Sequence, residues 1–153
     1  MWRFALARAT GTSHARLKLP CQDRCACAVL SSSVIVAALA DGAGSAQFAE
    51  HGAEIAVNEV IAAVSAVEIG ATTLFADLVV RAAEKARAAV LSHADDQNAD
   101  PRQFASTLLA IVSTDHGGGA IQIGDGVIVV NQDEGDWGWV FWPQRGEYAK
   151  GLS

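Results

Sequence analysis

The sequence predicts an α+β fold, an antiparallel sheet with helices on one face. Three observations carry it. Up to residue 40 the apolar residues come in alternation or in runs suited to strands, and from residue 48 to residue 93 they recur at helical spacing. From residue 106 the strand pattern returns, interrupted by glycine-rich turns. Strands segregated from helices along the chain belong to α+β folds, not to folds built of alternating units. At 153 residues the chain suits one domain, residues 1–153, able to bury roughly 70% of its unfolded surface. With 51% hydrophobic and 18% charged residues it has the balance of a packed protein and not of a disordered one.

Taken in order, residues 2–9 alternate crudely and read as a first strand. Residues 10–14 read as a turn, and residues 17–23, with Pro20, as an irregular loop. Residues 24–30 and 34–40 form a hairpin about Ser31-Ser32-Ser33, the second strand being nearly all apolar and the more buried. Residues 48–64 carry Phe48, Ile55, Val60 and Val64 at helical spacing. A second helix starts at residue 72 or 73 and runs to about residue 93, with Leu74, Leu78, Ala82, Ala86 and Ala89 on one face. Residues 95–101 read as a solvated loop. Strands follow at 106–114, 120–123, 127–131 and 138–142, with Gly117-Gly118-Gly119 and Gly124-Asp125-Gly126 as turns. On the last strand Trp139 and Trp142 fall on opposite faces and serve packing.

Charge narrows the partners. The chain has 17 acidic against 11 basic residues, net −6, and no basic cluster, which excludes nucleic acid and an anionic membrane as expected partners. Cys21, Cys25 and Cys27 crowd into seven positions, an odd set that makes no disulfide framework and has no companion pair for zinc. Cys25 and Cys27 share a strand face and read as small buried side chains, and free thiols fit a reducing compartment. The N-terminus lacks the apolar core of a signal peptide, and no apolar stretch reaches membrane-spanning length. The expectation is a cytoplasmic protein of undetermined oligomeric state.

The candidate site begins where the apolar strand at 34–40 is cut off by Asp41-Gly42-Ala43-Gly44-Ser45. A carboxylate at the end of a buried strand is costly unless a cation or hydrogen-bond donors neutralise it. The glycines let the backbone approach a bound ion or phosphate. Gln22-Asp23 supplies a second acid in the turn before the preceding strand. Blander readings stay open: Asp41 as cap of the following helix, Asp125 as a hairpin-turn residue, and His14 as a surface or capping histidine. Ser106 and Thr107 have no partnered His and Asp and read as structural.

Five segments occur in a characteristic order: Gly11-Thr12-Ser13-His14, Pro20-Cys21-Gln22-Asp23, Asp41-Gly42-Ala43-Gly44-Ser45, Ser106-Thr107-Leu108-Leu109 and Ile123-Gly124-Asp125-Gly126. With them the chain resembles the bacterial PP2C-like (PPM-type) metal-dependent Ser/Thr protein phosphatases, from residue 11 to about residue 149. The resemblance implies an αββα sandwich, two antiparallel sheets flanked by helices, and a pair of Mn²⁺ or Mg²⁺ ions that hydrolyse phosphoserine or phosphothreonine in a protein substrate. It assigns Asp41 as the bridging carboxylate, the Gly42 carbonyl as a ligand, Asp23 as a further carboxylate and Asp125 as a contributor to a weaker third metal site. Asp41 and Asp23 are the catalytic acids in this scheme. His14 and Arg16 (with Lys18) lie in the stretch where the family holds its substrate phosphate. Two departures stand out. Gln22 occupies a position that is acidic in eukaryotic members, and the family's two C-terminal aspartates have no counterpart, with Lys150-Gly151-Leu152-Ser153 breaking the pattern. The alternative expectation is therefore a truncated, inactive or weakly active domain that acts as a partner-binding or regulatory module.

Overall fold

The structure, a computed structural model, describes residues 1–133 and 135–142. Residues 143–153, where the family pattern is expected to break, lie outside the described residues. The elements run α1 (Thr12–Leu17), β1 (Arg24–Val29), β2 (Ile35–Ala40), α2 (Ala49–Ser65), α3 (Phe75–Asp96), a 3-10 helix (Pro101–Phe104), β3 (Leu108–Thr114), β4 (Gly117–Ile123), β5 (Val129–Asp133) and β6 (Asp136–Trp139). They form two antiparallel sheets, one in the order β1-β2-β3-β4 and one of β5 and β6. The α+β class with antiparallel sheets and helices is as the sequence predicts.

Register places the core. Val36 pairs with Val112 and Ala38 with Ala110, so the two-residue period puts Val36, Ala38 and Ala40 beside Leu108, Ala110 and Val112 on one face. Against that face pack Val57, Val60 and Val64 of α2 and Leu78, Val79, Ala82 and Ala86 of α3. Leu78, Ala82 and Ala86 form an i, i+4 row, while Asp77, Glu84, Lys85 and Arg87 stay exposed. The abundance of alanine lets both helices lie close to the sheet. Gly52 carries this furthest: a Cβ there would fall on the carbonyl oxygen of Phe104.

Several elements differ from expectation. Residues 2–9 form no strand: Ala5 and Leu6 lie over the outer face of the sheet beside Cys25, Leu39 and Val129, and Phe4 and Leu6 remain exposed. Alternation alone makes no strand without an edge to pair with. Residues 12–17 are helix, closed by Lys18 in the left-handed region at φ 57°. Helix α3 runs on to Asp96, and Asp100 then caps the 3-10 helix by accepting from the Arg102 N–H at 2.9 Å. Gly117 to Gly119 belong to β4, the turn being Asp115-His116. Gly119 is glycine because helix α3 begins on the strand, where a Cβ would meet the Phe75 backbone oxygen at 2.8 Å; at Gly118 a Cβ would meet the Val112 carbonyl oxygen instead. Strand β6 ends at Trp139, so Trp139 and Trp142 stack with ring centroids 5.7 Å apart instead of facing apart. Cys25 and Cys27 are half-buried free thiols, and burial raises the Cys27 pKa. Among the described residues no helix is long and apolar enough to cross a membrane.

Candidate functional site

Asp41 is the first residue past β2, and its position is set by backbone bonds to a segment 66 residues away. Its N–H donates to Thr107 Oγ1 at 2.9 Å, and the Thr107 N–H donates back to the Asp41 carbonyl at 2.8 Å. The Ala43 N–H donates to the Ala105 carbonyl at 2.9 Å, which completes an antiparallel bridge between Gly42 and Ser106. The Gly42 N–H donates to the Gln22 carbonyl at 3.3 Å, tying the turn before β1 to the same point. No side chain fits at Gly42, where a Cβ would lie 2.8 Å from that of Ala49 and 2.9 Å from that of Gln22. Gly124 closes the other side at φ 102°, where a Cβ would press on the Thr107 methyl at 2.6 Å. Four loop segments thus interlock at one end of the large sheet.

They enclose an open cleft of about 540 Å³ lined by His14, Gln22, Asp41, Gly42, Gly44, Ser106, Thr107, Gly124 and Asp125. A second hollow of about 350 Å³ shares Asp41, Thr107 and Asp125 and adds Arg8, Asp23, Arg24 and Cys25. The acids feel one another. The Asp41 carboxyl is pushed above its ordinary pKa, first by burial, next by its hydrogen bond with the Asp23 carboxyl, then by the charges of Asp23 and Asp125. His14 pulls in the opposite direction. The fold therefore gathers Asp23, Asp41, Gly42, Asp125 and His14. Arg16 is exposed on α1 and lines neither hollow.

The oxygens available suit a hard divalent cation. Beside the Asp41 and Asp23 carboxylates, the Gly42 carbonyl accepts no hydrogen bond among the described residues. Gln22 is buried at 9% exposure, and its Oε1 has no partner among them. Among the described residues no three His, Cys, Asp or Glu side chains group closely enough to hold an ion by themselves. A cation here would need the neutral oxygens and water as well as the acids, and the donor set fits on those terms.

An α+β domain with antiparallel sheets and an acidic, oxygen-lined cleft at the sheet's end is the class of protein that fold and site define. The chain belongs to the protein phosphatase 2C family, whose sequence pattern matches residues 10–152. It is 35% identical over 153 residues to "Serine/threonine-protein phosphatase 3" of Escherichia coli (strain K12), covering 97% of this chain and 60% of that protein. Its fold is similar to that of the Mycobacterium tuberculosis serine/threonine phosphatase PstP/Ppp, with a TM-score of 0.54 at 17% identity over 90% of this chain and 50% of that one. The chain thus spans between half and three fifths of the length of the proteins it matches.

Thr107 reads as structural in the sequence, and in the structure its hydroxyl accepts from the Asp41 N–H. Sequence reasoning passed over two residues at the site. Arg8 and Arg24 line the second hollow. Only Arg24 had a local signal, its place directly after Asp23.

Proposed function

We propose that this chain forms the cation-binding part of a protein serine/threonine phosphatase that hydrolyses phosphoserine or phosphothreonine with Mn²⁺ or Mg²⁺. The observation that carries the reading is that Asp41 and Asp23 line one hollow, next to a Gly42 carbonyl that accepts no hydrogen bond among the described residues. Opposed carboxylates in one cleft are an arrangement that a divalent cation relieves. When bound, the ions would supply Lewis-acid charge and an activated water. Asp41 and Asp23 would hold them, with the Gly42 carbonyl and the Gln22 amide oxygen as neutral donors and Asp125, which lines the same cleft, contributing to a weaker third site. His14, which lines the same cleft, would contact the substrate phosphate or move a proton at its imidazole. Arg16 remains the weaker candidate for that contact because it lies off the cleft. The substrate is a phosphorylated protein, residues 1–153 form a single phosphatase domain incomplete at its C-terminal side, and the compartment is cytoplasmic.

Turnover of a phosphoserine peptide and of p-nitrophenyl phosphate with Mn²⁺, for the wild type and Asp41→Asn, tests the proposal. Mn²⁺-dependent hydrolysis abolished by the substitution supports it; hydrolysis that is absent, or indifferent to Asp41→Asn, refutes it. A second reading, a weakly active or inactive binding module, is favoured by one observation: no three acidic, histidine or cysteine side chains group at a ligating site among the described residues. Calorimetry separates the two, since tight Mn²⁺ binding contradicts the module.

A further inference from the structure

We propose that Arg24 is the positioning residue of this cleft: its guanidinium ties the turn that carries Asp23 to helix α2 and so fixes the Asp23 carboxyl against that of Asp41. The inference rests on the reading of these two acids as a cation site. Arg24 Nη1 donates to the carbonyls of both Cys21, at 2.7 Å, and Asp23, at 2.9 Å. Its Nε lies 3.5 Å from Glu54 Oε2 on α2, the one ion pair among the described residues. Its backbone pairs across the sheet with Ala40, the residue before Asp41. One residue thus reaches the three parts that must agree: the Asp23 turn, the end of β2 and the helix packed beneath them.

The geometry is that of a clamp and not of an ordinary surface pair. The Arg24 side chain is only 20% exposed, against 54% for Glu54, and its two shortest bonds go to backbone carbonyls. Those carbonyls flank Gln22, so pinning both fixes the backbone of the turn from which Gln22 and Asp23 project. The turn's other ties are longer: the Gln22 carbonyl accepts from the Gly42 N–H at 3.3 Å, and the Cys21 thiol lies 3.7 Å from Asp23 Oδ2. A lysine would keep the charge, yet its compact ammonium on a flexible stem lacks the planar fork that reaches two carbonyls and a carboxylate together.

The experiment is Mn²⁺ titration calorimetry of the full chain as wild type, Arg24→Ala, Arg24→Lys and Glu54→Gln, with Val57→Ala as a control that costs core stability and removes none of the Arg24 bonds. Amide exchange of residues 21–24 is followed without metal in the same set. We expect Mn²⁺ affinity to fall roughly 10–100-fold in Arg24→Ala and Arg24→Lys, as for residues that orient metal ligands. The fall should be smaller in Glu54→Gln and absent in Val57→Ala, and exchange at 21–24 should quicken only in the Arg24 variants. Wild-type affinity in Arg24→Lys, or a loss no greater than in Val57→Ala, overturns the inference. A wild type that binds no Mn²⁺ overturns the cation site itself, a separate failure read before any variant is compared.

Discussion

Gly52→Ala offers the sharpest stability test because two effects oppose each other there. In an exposed helix interior the change gains about 1 kcal/mol of helix propensity. At Gly52 the new methyl would sit on the Phe104 carbonyl oxygen, 2.7 Å from its carbon and 3.0 Å from its Cα. Phe104 cannot move aside easily. It is 2% exposed, with its ring 5.2 Å from that of Phe48 and edge-on to His93 at 5.3 Å. Relief means lifting the 3-10 helix off α2, at the upper end of the roughly 1–3 kcal/mol typical of overpacking, or beyond it. Clash therefore outweighs propensity, leaving a net loss of about 2 kcal/mol. At about 2–4 °C per kcal/mol for a chain of this size, that lowers Tm by about 4–8 °C. Calorimetry reads it directly, and urea unfolding should show a lower midpoint with an unchanged slope. The effect should also reach the site, since the 3-10 helix leads straight into residues 105–107 that clamp Asp41. A variant that melts at or above the wild type would refute the reasoning.

Asp41→Asn tests the crowding of charge. Because the folded state raises the Asp41 pKa, it takes up its proton before the unfolded chain does, so the Asp41 contribution to metal-free stability should rise as pH falls through the raised pKa to the ordinary aspartate range. For so exposed a group the gain is at most about 1 kcal/mol. Asp41→Asn should abolish that rise, melt no lower than the wild type at pH 7 and lose Mn²⁺ binding; a metal-free wild type that loses stability relative to the variant over that interval contradicts it. Thr107→Val keeps shape but removes the acceptor of the Asp41 N–H. It should cost about 1 kcal/mol in chemical denaturation, with Thr107→Ser close to wild type. Gly124→Ala should cost about 1–3 kcal/mol of backbone strain at φ 102°, read as a lower Tm. Mn²⁺ at 100 times its Kd should stabilise the wild type by about 2.7 kcal/mol, an upward thermal shift reversed by chelation and absent in Asp41→Asn.

What could be read from the sequence was local or periodic. The β1–β2 hairpin was legible because Ser31-Ser32-Ser33 separates two apolar segments of equal reach, and the structure pairs Val29 with Ile35 across it. Helix α3 was legible because Leu78, Ala82 and Ala86 repeat at four-residue spacing. Residues 2–9 show the converse, since their alternation says nothing about whether a strand edge is on offer. Gly117-Gly118-Gly119 reads as a turn by composition, yet Gly119 is small because Phe75 lies against it, a fact of tertiary packing. At the site, Asp41 could be singled out because a buried strand ends on it. The bonds to Thr107 join residues 66 apart, and the Arg24 clamp depends on where Glu54 arrives; no spacing rule contains either.

The site sets electrostatics against backbone geometry. Burial and the Asp23 and Asp125 charges all disfavour an ionised Asp41. Its placement is secured instead by groups carrying no negative charge: the bridge at Gly42 and Ser106, the Thr107 hydroxyl, and the contacts that forbid a side chain at Gly42 and Gly124. Such a frame can hold the acids together without a cation, so under the proposed function a cation would meet a cleft already assembled. The same division explains why the neutral Gln22 is no obstacle beside the acids. A further carboxylate in that buried position would add to the repulsion among Asp41, Asp23 and Asp125. An amide oxygen with no partner among the described residues offers a ligand atom and adds no charge.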